Sequence, residues 1–458
     1  MSGLLHGRVL VIGAGRTGAA LADVLGRRGA SVTVLETGTA EAARAGAQAL
    51  DAAGTPVLTA DTDVHLNAFD LVVPSPGVPE HHPLLVGAAT AGVPVWSEPE
   101  VAWQLSAGRT QLVAVTGTNG KTTTTEMLAA CLQAPTGGNI GTPLITLLVA
   151  DDPPPTVVAE LSSFQLRFAA TLRPRVAVLL NVAPDHLDWH GSLDAYRSAK
   201  ARIWQRQQAG DTAVIGSDDQ GARRTQDDYP PPAGVIGFTA SAPAPGQVGV
   251  DDGAIVANLD GGPARIIAVD ELGVAGPHNV ANACAAVAAA LAAGAAPEDL
   301  APPLAAYRAG AHRLETVAIV DGVRYVDDSK ATNPHAAAAA LASYPAGSVV
   351  WIAGGLGKGL TFSSLEPLIA HSVKAALTIG TSGPDIAEVA RTAGVGVREA
   401  GTLAQAVTWA AEAAAPGDTV LLAPACASMD QFVDYAERGA AFRDAVDRLS
   451  IQGATCGR

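Results

Sequence analysis

Short runs of apolar, mostly β-branched residues alternate along this chain with segments of good helix formers and with glycine-containing loops. Runs such as 9–12, 112–115 and 349–353 have the length of strands that are buried on both faces. A helical segment follows each of them, and this alternation predicts doubly wound α/β units with mostly parallel sheets. The pattern at 317–326 is an exception to this alternation, because Asp321-Gly322 lies between two apolar runs and predicts a β-hairpin.

The chain has 458 residues, which is too long for a single hydrophobic core. We expect three α/β domains, at 1–106, 107–310 and 311–458. The first and the last would be Rossmann-like, and the central one would resemble a P-loop ATPase with a mostly parallel sheet. The small residues of Ser106-Ala107-Gly108 predict the first linker.

Composition argues against several classes of protein. The formal net charge of −15 disfavours general nucleic-acid binding. Much of the 48% hydrophobic content is alanine, so no segment predicts a membrane helix, and the N-terminus lacks the pattern of a signal peptide. The four cysteines have neither metal-ligand nor disulfide spacing, so we expect a cytoplasmic protein. An anionic ligand would need positive charge from single lysines, helix ends or bound cations.

The stretch 111–125, QLVAVTGTNGKTTTT, carries the strongest chemical signal. Its order of strand, glycine loop and helix places backbone N–H groups and a helix N-terminus around a phosphate chain. A lysine can reach the outer phosphates, and a threonine hydroxyl can hold Mg²⁺. The full eight-residue P-loop pattern is not met, because Val115 stands at the position of its first glycine. The shorter form still predicts that a nucleotide phosphate chain is bound by Gly117, Thr118, Asn119, Gly120, Lys121, Thr122 and Thr123.

A second glycine loop, GAGRTG at 13–18, lies between a strand and a helix, and Glu36 ends the next strand. This is the dinucleotide-binding fingerprint in its usual context. The physics requires only a diphosphate at a helix N-terminus, so a nicotinamide dinucleotide and a UDP-sugar are equally compatible with it. Segment 71–79 predicts a strand and a proline-rigid turn, which is either a structural loop or a second wall of the same site.

Further polar residues follow strands of the central segment. Glu160 comes after strand 156–159 and His186 after strand 176–180, so both belong to the rim where open parallel sheets bind ligands. A carboxylate and an imidazole near a P-loop threonine are reasonable Mg²⁺ ligands, although a lone loop histidine is more often structural. Lys200, on helix 193–204, would by itself be an ordinary solvated lysine with very little neutral amine near pH 7.

Taken together, the motifs resemble those of the Mur ligase family across all three expected domains. The matching segments are TGTNGKTT, GGNIG, ELSSFQL, NVAPDHLDWH, YRSAK, GPHNVANACAA, HRLE, DDSKATNPHA, GGLGKG and PACASMDQFVDYAERGAAF. The resemblance implies an ATP-dependent ligase that activates a carboxylate as an acyl phosphate for attack by an amine, in cytoplasmic peptidoglycan synthesis. It is nearest to the members that join D-glutamate to UDP-N-acetylmuramoyl-L-alanine. A sibling ligase or a folylpolyglutamate synthase-type ligase is the alternative.

The resemblance also implies roles for individual residues. At the reaction centre it implies Lys121 as the phosphate lysine, a carbamylated Lys200, and two Mg²⁺ ions near Thr122, Glu160, His186 and Lys200. The implied ATP contacts beyond the phosphate loop are Asn279, Asn282, Arg313, Asp328 and Lys330. The implied contacts to the UDP-muramoyl substrate are Arg16, Thr17, Glu36, Ser75, Gly77, Asn139 and Ser162, and those to the amino acid are Thr332, Lys358, Ser428, Met429 and Tyr435. The family's Asp-Thr-Arg after the second strand is Glu36-Thr37-Gly38 here, so one arginine contact near the uracil is missing.

Two other classes of protein explain less of the sequence. A nicotinamide dehydrogenase would leave the phosphate loop at 117–123 without a role. A nucleotide-binding switch or a transport ATPase would not need three substrate-lining domains. We therefore expect a monomeric ligase without nucleic-acid or membrane partners, whose last domain closes on ATP.

Overall fold

The computed structural model of the chain describes residues 2–38, 41–106 and 108–456, with side chains described for 3–38, 41–106 and 108–449. Within these ranges the chain forms two compact units. The first comprises Met1–Val182, Trp189–Ala275 and Asn279–Tyr307, and the second comprises Ala183–Asp188, Gly276–His278 and Arg308–Arg458. Ala107 of the expected linker lies outside the described residues, and the three-domain boundaries remain a prediction.

The N-terminal part of the first unit alternates strands and helices. Its elements are β1 (Arg8–Ile12), α1 (Arg16–Arg27), β2 (Ser31–Glu36), α2 (Glu41–Ala52), β3 (Val57–Thr59), β4 (Leu71–Pro74), α3 (Pro83–Thr90) and α4 (Glu98–Ser106). The strands pair in parallel in the order β3-β2-β1-β4. Val9, Leu10 and Val11 of β1 are all fully buried, because helices and loops cover both faces of this sheet, as the unbroken apolar run predicts.

Segment 93–96 is mostly apolar but does not form a full strand of this sheet. This segment makes only an isolated bridge, between Val95 and Val72 of β4. Pro94 has no backbone N–H to give to a sheet ladder, although its carbonyl accepts a hydrogen bond from the N–H of Val72 at 2.9 Å. The segment therefore follows the sheet without becoming a full strand of it.

The central part of the first unit is built around a second sheet. Its strands are β5 (Gln111–Thr116), β6 (Thr136–Gly138), β7 (Thr156–Glu160), β8 (Val176–Leu179), β9 (Thr212–Gly216), β10 (Gly234–Phe238), β11 (Gln247–Asp251), β12 (Ala254–Leu259) and β13 (Gly262–Ala268). They pair in the order β13-β12-β11-β10-β9-β8-β5-β7-β6, parallel from β6 to β11 and antiparallel from β11 to β13. β5 lies inside the sheet between β7 and β8, so the loop after it is framed by the ends of two parallel neighbours.

Helices accompany this sheet. They are α5 (Lys121–Leu132), α6 (Leu144–Leu148), α7 (Ser163–Arg167), α8 (Leu187–His190), α9 (Leu193–Ala201), α10 (Gln220–Asp228), α11 (Pro277–Ala292) and α12 (Ala301–Ala306). In α11 the residues from Ala283 to Ala290 are all fully buried. Alanine lets this helix pack closely against the core at little cost in side-chain entropy, which explains the alanine content without a membrane span.

The second unit contains a third sheet. Its elements are β14 (Glu315–Val320), β15 (Val323–Asp327), α13 (Pro334–Leu341), β16 (Val349–Gly354), α14 (Glu366–Ser372), β17 (Val373–Ile379), α15 (Gly383–Thr392), β18 (Gly396–Gly401), α16 (Leu403–Ala413), β19 (Thr419–Leu422) and α17 (Tyr435–Cys456). The strand order is β14-β15-β19-β16-β17-β18, antiparallel only between β14 and β15. The predicted hairpin is confirmed, and its turn residues Asp321 and Gly322 have φ of +49° and +77°.

Short 3₁₀ turns complete the described structure, at Ser2–His6, Leu66–Ala68, Val269–Glu271, Pro297–Asp299 and Ser363–Leu365. Among the described residues, no helix has both the length and the apolar character that crossing a membrane would require. Cys131, Cys284 and Cys426 are buried free thiols, and the side chain of Cys456 lies outside the described residues.

Glu98, the first residue of α4, is a buried carboxyl group that caps another helix. Its Oε1 accepts a hydrogen bond from the backbone N–H of Ile145, at the start of α6, at 2.6 Å. Burial raises the pKa of Glu98 to about 7, and the backbone N–H groups of Ile145 and Leu144 oppose this shift only in part. The folded chain therefore holds a proton that the unfolded chain has already released, so this group lowers stability as pH rises from 4.5 to about 7.

We expect Glu98→Gln to remove this pH dependence, because glutamine keeps an oxygen for the N–H of Ile145 but cannot ionise. Between about pH 5 and about pH 8, the wild-type chain should lose on the order of 3 kcal/mol relative to the variant. Thermal unfolding of both proteins at the two pH values measures this difference. If both proteins lose the same stability over that range, Glu98 does not titrate as described.

Candidate functional site

The phosphate loop after β5 ends at a position where both the backbone angle and the available space favour glycine. Gly120 has φ of +81°, and a Cβ there would overlap the Oδ1 atom of Asn282. Gly120 directly precedes α5, which begins at Lys121, so the backbone N–H groups of the loop run into a helix N-terminus. Thr122 and Thr123 are buried in the first turn of α5. This arrangement suits an oligophosphate, because N–H groups and the helix dipole both favour negative charge.

A side chain from the neighbouring strand holds the phosphate loop in shape. Asn181, just after β8, accepts a hydrogen bond from the N–H of Asn119 at 2.9 Å and donates to the carbonyl of Asn119 at 3.1 Å. The Asn181 carbonyl also accepts the N–H of Thr118 at 3.0 Å. Asn181 begins the matching segment NVAPDHLDWH, which by itself indicates no role for it, although its position after a strand adjacent to β5 is a usable signal.

Lys121 folds back over the same loop. Its Nζ donates to the carbonyls of Thr118 at 2.8 Å and of Gly117 at 3.0 Å. The side chain is half-buried, so the ammonium lies against the loop rather than pointing into bulk solvent. A cation at this position can move from these two carbonyls to a bound phosphate with little rearrangement of the backbone.

Glu160 is a buried carboxylate one strand away from the phosphate loop. It ends β7 in register with Val115 of β5. Its Oε1 accepts a hydrogen bond from Asn139 Nδ2 at 2.7 Å, whereas its Oε2 is buried without any hydrogen-bond partner. A buried carboxylate oxygen without a donor is costly, and a divalent cation would satisfy it. The donor chemistry of Glu160 therefore fits a metal ligand.

Lys200 of α9 is almost completely buried against the phosphate loop, at 1% exposure. Its Nζ donates to the carbonyl of Gly117 at 2.7 Å and lies 4.6 Å from the centre of the Tyr196 ring. The Tyr196 hydroxyl lies 3.2 Å from Thr118 Oγ1. The interpretation of Lys200 as a solvated helix lysine is therefore wrong, because α9 places this side chain against the loop that follows β5. Tyr196 is a further residue whose contact with the loop the sequence did not reveal.

The first glycine loop is also shaped by close approaches. Gly13 has φ of +105°, and a Cβ there would overlap Ser75 Oγ, which places Ser75 directly beside the loop. Glu36 Oε2 accepts the N–H of Ala14 at 2.7 Å, and its Oε1 accepts the N–H of Gly38 at 2.6 Å. Glu36 thus ties the end of β2 to the glycine loop.

Other residues expected at the sugar site lie on α1, on the turn after β4 and at the start of α7. Arg16 is exposed and Thr17 half-buried at the start of α1, and Gly77 is exposed in the turn after β4. Ser162 closes a capping box with Gln165 at the start of α7, where Gln165 Oε1 accepts the N–H of Ser162 at 2.9 Å. This cap gives Ser162 a structural reason to be present that is independent of any ligand.

Asn279 and Asn282 lie on one face of the first turns of α11, as their spacing predicts. Asn282 Nδ2 donates to Asn279 Oδ1 at 3.4 Å, and Asn279 Nδ2 donates to the carbonyl of Ala275 at 2.7 Å. Since Asn282 also touches Gly120, this pair adjoins the phosphate loop.

In the second unit, the segment after β15 gathers several of the predicted residues. Burial raises the pKa of the Asp328 carboxyl to about 7, aided by Asp327 and opposed by the N–H of Leu314 and by Arg313. The Nζ of Lys330 lies 5.3 Å from the centre of the Tyr435 ring. Thr332 is half-buried and donates its N–H to the carbonyl of Lys330 at 2.9 Å.

The remaining residues expected at the amino-acid pocket lie on two loops of the second unit. Lys358, with φ of +51°, follows β16, and Ser428 is buried beyond β19. Met429 is 57% exposed and Tyr435 is 36% exposed, so both offer apolar surface to solvent.

Arg438 of α17 joins the segment after β15 to the loop after β19. It is 1% exposed, and its guanidinium donates to Ser329 Oγ at 2.9 Å, to the Ser329 carbonyl at 2.8 Å and to the Cys426 carbonyl at 3.1 Å. Burial lowers the pKa of Arg438 to about 10, which still leaves it charged at neutral pH. The sequence places Arg438 in a matching segment but does not predict its burial, because nothing local marks an arginine in a long helix as buried.

His186 lies in the segment Ala183–Asp188 and belongs to the second unit. Its backbone has φ of +53°, which is uncommon for a residue other than glycine and often marks a functional site. Its N–H donates to Asp185 Oδ1 at 2.9 Å, and Asp185 Oδ2 accepts from Asn333 Nδ2 at 3.0 Å. The role of His186 at a metal remains a prediction.

Parallel sheets, two glycine loops at helix N-termini and a buried carboxylate beside one of them define an α/β nucleotide-binding protein. Family profiles cover most of the described chain. Residues 7–97 match the MurD-like N-terminal domain of Mur ligases, 115–290 match the Mur ligase middle domain, and 312–426 match the glutamate ligase domain of Mur ligases.

Individual relatives agree with these profiles. The UDP-N-acetylmuramoylalanine–D-glutamate ligase of Frankia casuarinae is 49% identical over 446 residues, which cover 96% of this chain and 93% of that protein. The ligase of the same name from Thermobifida fusca is 41% identical over 463 residues, which cover 97% of this chain and 98% of that protein. The chain belongs to the Mur ligase family.

Solved structures share the fold. MurF from Acinetobacter baumannii aligns with a TM-score of 0.61 at 19% identity, covering 90% of each chain. The UDP-N-acetylmuramate–alanine ligase MurC from Thermotoga maritima aligns with a TM-score of 0.58 at 21% identity, covering 96% of this chain and 99% of its own. At these identities the likeness concerns the fold, and the expected three-part α/β architecture of a Mur ligase is confirmed.

Proposed function

We propose that this chain is the ATP-dependent ligase that joins the carboxylate of UDP-N-acetylmuramoyl-L-alanine to the amino group of D-glutamate, in the synthesis of peptidoglycan precursors. The observation that carries the proposal is the near-full-length identity of 41–49% to ligases named for D-glutamate. Two glycine loops in one unit agree with it, because one loop can hold the diphosphate of a UDP-sugar and the other the triphosphate of ATP.

The named relatives favour D-glutamate over the amino acids of sibling ligases, so we set aside the alternative of a sibling or a folylpolyglutamate synthase-type ligase. A dehydrogenase would use the first glycine loop but would give no role to Lys121 or Glu160. The ligase gives a role to both, and it removes the ambiguity that the dinucleotide fingerprint left open.

The reaction brings a carboxylate, a triphosphate and then an acyl phosphate together. At an effective dielectric constant near 20, two like unit charges about 4 Å apart repel by about 4 kcal/mol. We assign Lys121, Gly117–Gly120 and the N-terminus of α5 to the phosphates of ATP. Asp328 and Lys330 are assigned to the end of the triphosphate, and Asn279, Asn282 and Arg313 to further contacts with ATP. In the first unit, Lys121 and the N-terminus of α5 would supply positive charge to these phosphates, in a chain of net charge −15.

Mg²⁺ is the metal that fits the residues of the first unit. Glu160, through its unpartnered Oε2, and the hydroxyl of Thr122 would hold it, and His186 is assigned to a second ion. When bound, the metal would supply positive charge to the phosphoryl oxygens. Asn139 fixes the other oxygen of Glu160 and so sets the direction in which the carboxylate faces.

We further propose that Lys200 is carbamylated. Its neutral amine would add to carbon dioxide, forming a carbon–nitrogen bond and releasing one proton, and the side chain would become an anion. A buried lysine is costly as a cation, whereas a buried carbamate can be paired with a metal ion. Placement of Lys200 against the loop carbonyl of Gly117 supports this assignment.

The proposed function also assigns residues to the two substrates. We place the UDP-muramoyl substrate against Arg16, Thr17, Glu36, Ser75, Gly77, Asn139 and Ser162, and D-glutamate against Thr332, Lys358, Ser428, Met429 and Tyr435. We also propose that the chain acts as a monomer in the cytoplasm.

A panel of substrates tests this function. Phosphate release is expected only when ATP, Mg²⁺, UDP-N-acetylmuramoyl-L-alanine and D-glutamate are all present. L-glutamate, L-alanine and a diamino acid in place of D-glutamate serve as the controls. Turnover with one of these amino acids, without turnover of D-glutamate, would reject the proposed specificity.

A further inference from the structure

The turn after β4 carries Ser75 and Gly77 and is fixed at both of its ends. At the first end, the N–H of Ser75 donates to the carbonyl of Ile12 at 2.8 Å, and Ser75 Oγ lies beside Gly13. At the other end, the carbonyl of Val78 accepts a hydrogen bond from the indole Nε1 of Trp189 at 3.2 Å. The turn thus connects the first glycine loop to a residue that lies 111 positions further along the chain.

The indole of Trp189 is itself held rigidly. The centre of its ring system lies 4.7 Å from the ring of Phe164 and 4.4 Å from the ring of His190. The Nε2 atom of His190 lies 2.9 Å from Ser163 Oγ. Trp189 is 9% exposed, so its N–H is directed at Val78 by packing rather than by chance orientation at a surface.

An ion pair beside Trp189 reinforces the same turn. Arg167, the last residue of α7, donates from Nε to Glu80 Oε1 at 2.8 Å, and its Nη2 bonds the same oxygen. The Arg167 guanidinium also lies 5.7 Å from the centre of the Phe168 ring, which meets Trp189 edge-on at 6.3 Å. Both side chains of the pair are about one-third exposed, so the pair is a secondary support.

We propose that Trp189, assisted by the Arg167–Glu80 pair, is a positioning residue that fixes the Ser75–Gly77 turn and so sets the affinity for the UDP-linked substrate. If the turn is already ordered before the substrate binds, binding does not have to include the free-energy cost of ordering it. The affinity for the substrate is therefore higher. This inference rests on the proposed function, because that function assigns Ser75 and Gly77 to the UDP-sugar. The contacts of Trp189 with Val78, Phe164, Phe168 and His190 include neither the phosphate loop nor Glu160. We therefore expect a change at Trp189 to alter the affinity for one substrate only.

Trp189→Phe tests the inference, because phenylalanine keeps an aromatic ring for Phe164 and His190 and removes the N–H that Val78 accepts. We expect the KM for the UDP-linked substrate to rise about 5-fold, as for the loss of one hydrogen bond. The kcat and the KM for ATP and for D-glutamate should stay within about 2-fold of wild type. Calorimetric titration of the UDP-linked substrate without ATP should show the same loss of affinity.

A matched control is Trp204→Phe. The indole Nε1 of Trp204 also donates to a backbone carbonyl, that of Tyr229, at 2.9 Å, but neither residue belongs to the turn or its supports. This variant should lose stability and keep the wild-type KM for the UDP-linked substrate. If both tryptophan variants raise all three KM values alike, Trp189 acts only through stability and the inference is overturned.

A second test uses the ion pair, whose partly exposed residues can be changed without emptying the core. Glu80→Arg places two guanidinium groups side by side and should raise the same KM about 5-fold. Adding Arg167→Glu should restore it. An unchanged KM in both Trp189→Phe and Glu80→Arg would overturn the inference while leaving the proposed function intact. Absence of turnover in the wild-type chain would instead reject the function.

Discussion

Lys200→Ala is expected to reduce turnover by at least about 10³-fold, because it removes the group that we assign as a buried anion beside the phosphate loop. The same change leaves a cavity next to Gly117 and Tyr196, where a small carboxylate can enter. Added acetate or bicarbonate should therefore restore part of the activity. Steady-state phosphate release, with and without each anion, measures both effects.

Lys374→Ala is the matched control for this experiment. Lys374 is 39% exposed and pairs with Asp418 at 2.6 Å in the second unit, and no role in the reaction is assigned to it. Its removal should leave turnover close to wild type, with or without acetate. Isotopically labelled bicarbonate adds a direct test, because a carbamate resonance should appear in the wild-type chain and be missing from Lys200→Ala. If Lys200→Ala keeps wild-type turnover without added anion, the carbamate assignment is wrong.

Glu160→Gln is expected to lower turnover about 100-fold and to raise the Mg²⁺ concentration needed for half-maximal activity. Glutamine is nearly the same size and keeps an oxygen for Asn139, so the change is confined to the charge and to the atom at the position of Oε2. That atom is the buried oxygen without a hydrogen-bond partner, and an amide nitrogen there cannot bind a cation. A titration of turnover against Mg²⁺ separates loss of metal affinity from loss of fold.

Glu126→Gln provides the comparison for Glu160→Gln. Glu126 lies on α5 and its Oε2 accepts a hydrogen bond from the hydroxyl of Tyr307 at 2.6 Å, so it is engaged in packing rather than in the proposed chemistry. The control should keep the wild-type Mg²⁺ dependence. An unchanged Mg²⁺ dependence in Glu160→Gln as well would remove Glu160 from the metal site.

The phosphate loop could be predicted from the sequence because its backbone geometry depends on a few consecutive residues. Gly120 and Lys121 follow each other in the chain, and the positive φ of the glycine and the helix start at the lysine are consequences of local sequence. By contrast, the sequence pattern did not predict the antiparallel strands β11 to β13. Their runs are short and are interrupted by glycine turns, so their pairing depends on the edge that the parallel sheet offers.

Long-range contacts explain the burial of several residues, and no local pattern indicates these contacts. Lys200 and Trp189 have ordinary neighbours in sequence, yet one contacts Gly117 and the other contacts Val78. Arg438 likewise reaches Ser329 across the second unit. In each case the partner is more than 80 positions away, so the contact exists only after the sheets have formed.

By itself the sequence determined the class of fold, the two glycine loops and, through its motifs, the family, because apolar periodicity and loop chemistry act over a few residues at a time. Tertiary structure alone decided that Lys200 is buried, that one oxygen of Glu160 lacks a donor, and that Trp189 holds the turn after β4. Burial and hydrogen-bond satisfaction depend on which distant segments meet, and these meetings are fixed by the packing of whole sheets and helices.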